Sequence, residues 1–139
     1  MDQYFELDKL EKVCDSFKHK HQKLSDNELL VFLNKEIKLK FINLIEEKET
    51  YIGFDTGDHV HGMDIEFTFF IGETFHYYCV NYLDLIPCLH RGDLFIRSLF
   101  KDGKLTERYF LYKIELDAIN PNKILLGPNC NEFRITKIP

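Results

Sequence analysis

Apolar positions near the start of the chain recur at helical steps. Leu7, Leu10, Cys14 and Phe17 are separated by three, four and three residues, with Val13 beside them. Such a stripe lines one face of a helix, and it predicts one over residues 3–20. Lys18, Lys20 and Lys23 suit its C-terminal end, where cations offset the partial negative charge of the last carbonyls. Ser25-Asp26-Asn27-Glu28 then has the form of a capping box, a hydroxyl followed three residues later by a Glu. It predicts a second helix, from near Asp26 to about Asn34. Residues 36–46 have two readings. Leu30, Leu33, Ile37, Phe41 and Leu44 keep helical spacing, whereas Ile37-Lys38-Leu39-Lys40-Phe41 alternates. One long helix would put Phe32, Leu39 and Ile42 on its polar side, so a strand is expected there.

From Tyr51 onward the period is two. Met63, Ile65, Phe67, Phe69 and Ile71 alternate with Asp64, Glu66 and Thr68, the pattern of a half-buried strand. Gly72-Glu73 separates it from a second apolar run, and Gly at the first loop position suits a two-residue hairpin. Lys101-Asp102-Gly103-Lys104 is a further hairpin signal, joining residues 94–100 to 105–116. Asn120-Pro121-Asn122 and Gly127-Pro128-Asn129 punctuate two last strands, near 123–126 and 132–138. Successive hairpins build antiparallel sheet. The expected class is therefore α+β: one domain over 1–139, helical over 1–35 and β-rich over 36–139, with a mostly antiparallel sheet of meander or sandwich-like form.

Composition narrows the setting. With 139 residues, 45 % of them apolar, the chain can bury a core without covalent staples. Its four cysteines, Cys14, Cys79, Cys88 and Cys130, form no C-x-x-C pair, which removes the spacing of zinc ribbons and thioredoxin-type sites. Buried free thiols are expected. No basic leader and no membrane-length apolar run is present, so the expected compartment is the cytoplasm, with no membrane contact.

Charge is unevenly spread. Residues 1–50 carry a net −2, residues 51–90 a net −6 and residues 91–139 a net +3. The middle segment holds six acids and no Lys or Arg. Such a balance repels phosphate backbones, which excludes nucleic acid as a direct ligand, and it attracts a basic partner or a cation.

Several catalytic signatures are absent: the phosphate loop, G-x-G-x-x-G, the G-x-S-x-G elbow and H-E-x-x-H. One local cluster offers coordination chemistry. His59 and His61 stand two apart on an extended segment and so share a face, and Glu66 follows within reach of a three-ligand metal site. Gly53, five residues, His59-Val60-His61, four residues, Glu66, five residues and Gly72 resembles the first motif of the cupin family, whose last interval is one residue longer. The resemblance covers 20 residues and implies a metal-binding protein or metal-dependent enzyme, with one divalent metal ion held by His59, His61 and Glu66. His90, after Pro87, would be the donor of the family's second motif, without that motif's Gly and Asn.

The second feature is acidic and aromatic. Asp55, Asp58, Asp64, Glu66, Glu73 and Asp84 occur with Tyr77, Tyr78 and Tyr82 in the segment that lacks basic residues. Tyr supplies contact area with a polar tip, and surrounding carboxylates steer a basic partner toward it. In size, charge and style the chain resembles the small acidic immunity proteins that bacteria keep against delivered toxins, such as those of contact-dependent inhibition. The resemblance implies a non-enzymatic protein without a cofactor. It would fill the basic, phosphate-holding cleft of a toxin domain, with Asp55, Asp58, Asp64, Glu66, Glu73 and Asp84 as the charges and Tyr77 or Tyr78 as the anchor.

Overall fold

The first helix forms where its stripe predicts, but it is shorter. In the computed structural model, which describes residues 4–55, 59–113 and 130–139, α1 spans Leu7–Ser16 and buries Leu7, Leu10 and Cys14. Its end is set by backbone geometry. Lys18 adopts a left-handed conformation at φ 60°. The His19 amide then donates to the Cys14 carbonyl at 2.8 Å and the Lys18 amide to the Asp15 carbonyl at 3.1 Å. This is a Schellman closure, usually made by Gly. With Lys in that place the stop carries no mark in the sequence.

The second helix expected over residues 26–34 is not there. Those residues belong to a hairpin, with β1 at His21–Ser25 and β2 at Glu28–Phe32. Ser25 does accept an amide hydrogen through Oγ, but from Asn27 at 3.2 Å, as a turn rather than a helix cap. Packing decides between the two uses of the same residues. Leu29 and Val31 are fully buried and alternate with half-exposed Glu28, Leu30 and Phe32, a period that a helix cannot satisfy. The strand expected over residues 36–46 is present as β3, Lys38–Leu44, and β4 follows at Glu49–Phe54 and β5 at His59–His61.

Contacts gather the chain into two units, Met1–Ile65 with Val80–Pro87, and Glu66–Cys79 with Cys88–Pro139. In the first unit β1 to β5 form an antiparallel meander in chain order, and α1 lies against β2. One sheet face supplies the core through Leu29, Val31, Leu39, Phe41 and Ile52. Asn43, on that same face and 8 % exposed, ties down the segment before α1. Its Oδ1 accepts from the Phe5 amide at 2.7 Å and its Nδ2 donates to the Phe5 carbonyl at 3.0 Å. The Tyr82 hydroxyl accepts from the Glu6 amide at 2.9 Å, and its ring lies 4.6 Å from that of Phe5.

The second unit holds a three-stranded antiparallel sheet, order β10-β8-β9, from β8 at Leu94–Lys101, β9 at Lys104–Tyr112 and β10 at Glu132–Thr136. Asp102 and Gly103 have φ of 51° and 81°, so their turn is type I′, whose twist matches that of the strands it joins. The unit also contains most of the hairpin of β6, Asp64–Ile71, and β7, Thr74–Asn81.

Helices are not confined to the N-terminal part. A 3₁₀ turn at Tyr82–Asp84 leads into α2 at Leu85–Arg91, a helix the hydrophobic pattern did not predict. The Asn81 side chain caps the turn by accepting from the Leu83 amide at 3.2 Å. Gly92, at φ 79°, ends the helix. The strand expected near 123–126 and the extension of the preceding strand to 116 lie outside the described residues.

Candidate functional site

The β6–β7 hairpin has two unlike faces. Its two-residue loop, with Gly72 at φ 61°, places Ile71 opposite Thr74, and alternation then sorts the side chains. One face is a ladder of rings held within its own unit. Phe69 stacks on His76 at 5.4 Å and on Tyr78 at 5.9 Å, and Tyr78 stacks on Tyr112 of β9 at 4.3 Å. Phe67 lies 5.7 Å from the same Tyr112 ring.

The opposite face meets solvent although it is also aromatic. Phe70 is 67 % exposed, Phe75 56 % and Tyr77 52 %. Phe70 and Phe75 touch edge to face at 5.3 Å. The Tyr77 hydroxyl donates to Glu66 Oε1 at 3.1 Å, and this bond pushes its phenol up to about 12, with burial and the Glu66 charge adding to it. Exposing two Phe rings side by side forgoes roughly 1.5–3 kcal/mol of burial for each. Grouped exposure of this kind is uncommon on a monomer surface, where exposed apolar residues are normally scattered singly.

The residues singled out from sequence distribute as follows. Glu66, Glu73, Tyr77 and Tyr78 all lie on the hairpin portion of the second unit. Glu66 and Tyr77 share the exposed aromatic face, and Glu73 is exposed in the hairpin turn. Tyr78 belongs to the ring ladder. Asp55, exposed after β4, and Asp84, exposed in the 3₁₀ turn, belong to the first unit. Asp64 is half-buried and accepts from Asn81 Nδ2 at 2.9 Å. Asp58 lies outside the described residues. Phe70 and Phe75 were not singled out, yet Phe70 has the parity of the polar Glu66 and Thr68, and the two-residue turn brings Phe75 beside it on the same face. Bulky rings at solvent positions of a strand were the available signal.

His59 and His61 do share a face of β5, with ring centroids 4.9 Å apart. His61 Nδ1 lies 3.2 Å from Glu49 Oε2 and 3.1 Å from the Thr50 carbonyl oxygen, and His59 stacks on Tyr51 at 4.9 Å. These two histidines lie in the first unit, while Glu66 and His90 lie in the second. Among the described residues no three His, Cys, Asp or Glu side chains gather as a metal-holding group. Among them too, no helix is long and apolar enough to cross a membrane.

No family model, curated protein or solved structure matches this chain, so the reading of its function rests on its own residues.

Proposed function

We propose that the chain is a binding protein that docks a basic protein partner through the exposed face of the β6–β7 hairpin. Phe70, Phe75 and Tyr77 are the anchors, and Glu66 and Glu73 the charges. The observation that carries this is the clustering of exposed apolar area: among the described residues, Phe70, Phe75 and Tyr77, all on this face, are three of the seven large hydrophobics left exposed. The charge of the partner follows from composition. Residues 64–81 contain three acids and no Lys or Arg, so a cationic surface is attracted and an anionic one repelled.

Docking of this sort neutralises by occlusion. A toxin nuclease holds phosphates in a basic cleft, and a hairpin carrying aromatic anchors and carboxylates can fill that cleft and exclude the substrate. The role is that of a bacterial immunity protein, in the cytoplasm, with no cofactor and no chemistry of its own. The test is capture by the immobilised chain at low salt followed by a salt gradient. A stoichiometric partner with an isoelectric point above about 9, released as ionic strength rises, is expected. An acidic partner, or release insensitive to salt, contradicts the proposal.

A further inference from the structure

The outer face of the five-stranded sheet, turned away from α1, carries a cavity of about 460 Å³. Leu24, Leu30, Lys38, Lys40, Tyr51 and Asp55 contribute to its lining. Strand register brings them together. Lys38 and Lys40 are two apart on β3 and therefore leave the sheet on one side. Lys40 pairs with Leu30 on β2 and with Gly53 on β4. At Gly53 the row of side chains has a gap, and Tyr51 fills it. A Cβ built on Gly53 would stand 2.5 Å from the Tyr51 hydroxyl oxygen. The Tyr51 ring stacks on His59 at an interplanar angle of 17°, so His59 holds the ring in place while the ring also lines the cavity.

We propose that this cavity binds a small aromatic anion of the nucleoside monophosphate class. The planar base lies against Tyr51 and the apolar Leu24 and Leu30. The phosphate is held by Lys38 and Lys40. The volume falls within the roughly 300–1,000 Å³ of small-molecule sites, and lysine ammonium groups serve phosphate as mobile point charges. Lys40 faces Glu28 at 3.2 Å in a half-buried pair, and it reaches a phosphate by exchanging that carboxylate for the ligand's oxygens. Lys38 Nζ sits 5.5 Å over the Phe32 ring. A single aromatic platform with one pair of cations holds one nucleotide. The net charge of −5 disfavours a polymer.

The site is tested by titrating the full chain with adenosine monophosphate, adenosine, inorganic phosphate and a short oligothymidine, following backbone amide shifts. The nucleotide is expected to shift Lys38, Lys40, Tyr51 and Gly53. Adenosine and phosphate alone are expected to bind at least about tenfold more weakly, since each uses half the site. The double variant Lys38→Gln, Lys40→Gln should lose about tenfold in nucleotide affinity while keeping its melting temperature, and Tyr51→Leu, with its fold checked by the amide spectrum, should lose a similar factor in affinity. Shifts that map elsewhere, no saturation by about 1 mM, unchanged affinity in the lysine variant, or tighter binding of the oligonucleotide than of the mononucleotide would each overturn the assignment.

Discussion

Tyr51 lies across Gly53, two residues along the same strand, in the space that any side chain at Gly53 would occupy. A glycine inside a strand weakens it, and here the neighbouring ring covers the exposed backbone. Gly53→Val should therefore expel the ring. The clash is with the far end of a movable side chain, so the cost in stability should stay within about 1 kcal/mol. The readout is the His59 ring proton shift, which should lose the upfield contribution of the stacked Tyr51. An unchanged His59 spectrum would show that the ring does not depend on the glycine.

Asn43 makes both hydrogen bonds to the Phe5 peptide from a buried position in β3. Asn43→Ala leaves an amide and a carbonyl without partners, each with its own desolvation cost. Urea unfolding should show a loss of about 2–4 kcal/mol, with the segment before α1 exchanging its amide hydrogens fastest. A loss below about 0.5 kcal/mol would mean that the segment is not anchored there.

The Tyr77–Glu66 bond makes a titration prediction. With Glu66 accepting its proton, the Tyr77 phenol is held near 12. In Glu66→Gln the largest cause and the Coulombic one weaken together, and Tyr77 should titrate closer to the ordinary value of about 10. Ring signals of Tyr77 across an alkaline pH series give the measurement. Coincident curves for the two proteins would remove the bond from the account.

Asp93 joins Lys113 at 2.8 Å and Arg91 at 3.1 Å. Donation first from Lys113 and then from Arg91 holds its carboxyl below the usual range, and Asp93 in turn holds Lys113 above its own. A depressed carboxyl adds stability above its unfolded value and loses it as pH falls through the folded one. A raised ammonium adds stability below its unfolded value and loses it as pH rises through the folded one. Asp93→Asn should flatten both ends of the stability profile slightly, since Arg91 and Lys113 are exposed and Asp93 is partly so. Denaturant midpoints at acid, neutral and alkaline pH check this, and parallel profiles would refute it.

Local signals foretold some elements and not others, for reasons visible in particular residues. Asp102-Gly103 announced its hairpin because both positions need positive φ. The alternation over Lys38 to Phe41 announced β3. Ser25 to Glu28 misled because a hydroxyl followed by Asp and Asn serves a helix cap and a turn equally well. The choice was made by Leu29 and Val31, which are buried on the sheet face that receives α1. The end of α1 was hidden by a lysine in a glycine's conformation. For α2, Asn81 as the cap of the preceding 3₁₀ turn and Leu85, Ile86 and Leu89 as a stripe were present, but Pro87 and the β-rich surroundings masked them. Within the candidate site, Glu66 and Tyr77 could be proposed from charge and residue type. Phe70 and Phe75 required the parity of the strand to be carried to its end. The Lys38–Tyr51 groove depends on pairing between four strands, which no local window contains.

Affinity of the captured basic partner for the chain, compared between the original protein and Phe70→Ser, Phe75→Ser, tests the docking face most directly. Both rings are exposed, so folding stability should change by less than about 1 kcal/mol. Loss of the two anchors should weaken the complex by at least about 2 kcal/mol, a factor of about thirty. Equal affinity in a folded double variant would place the interface elsewhere on the molecule.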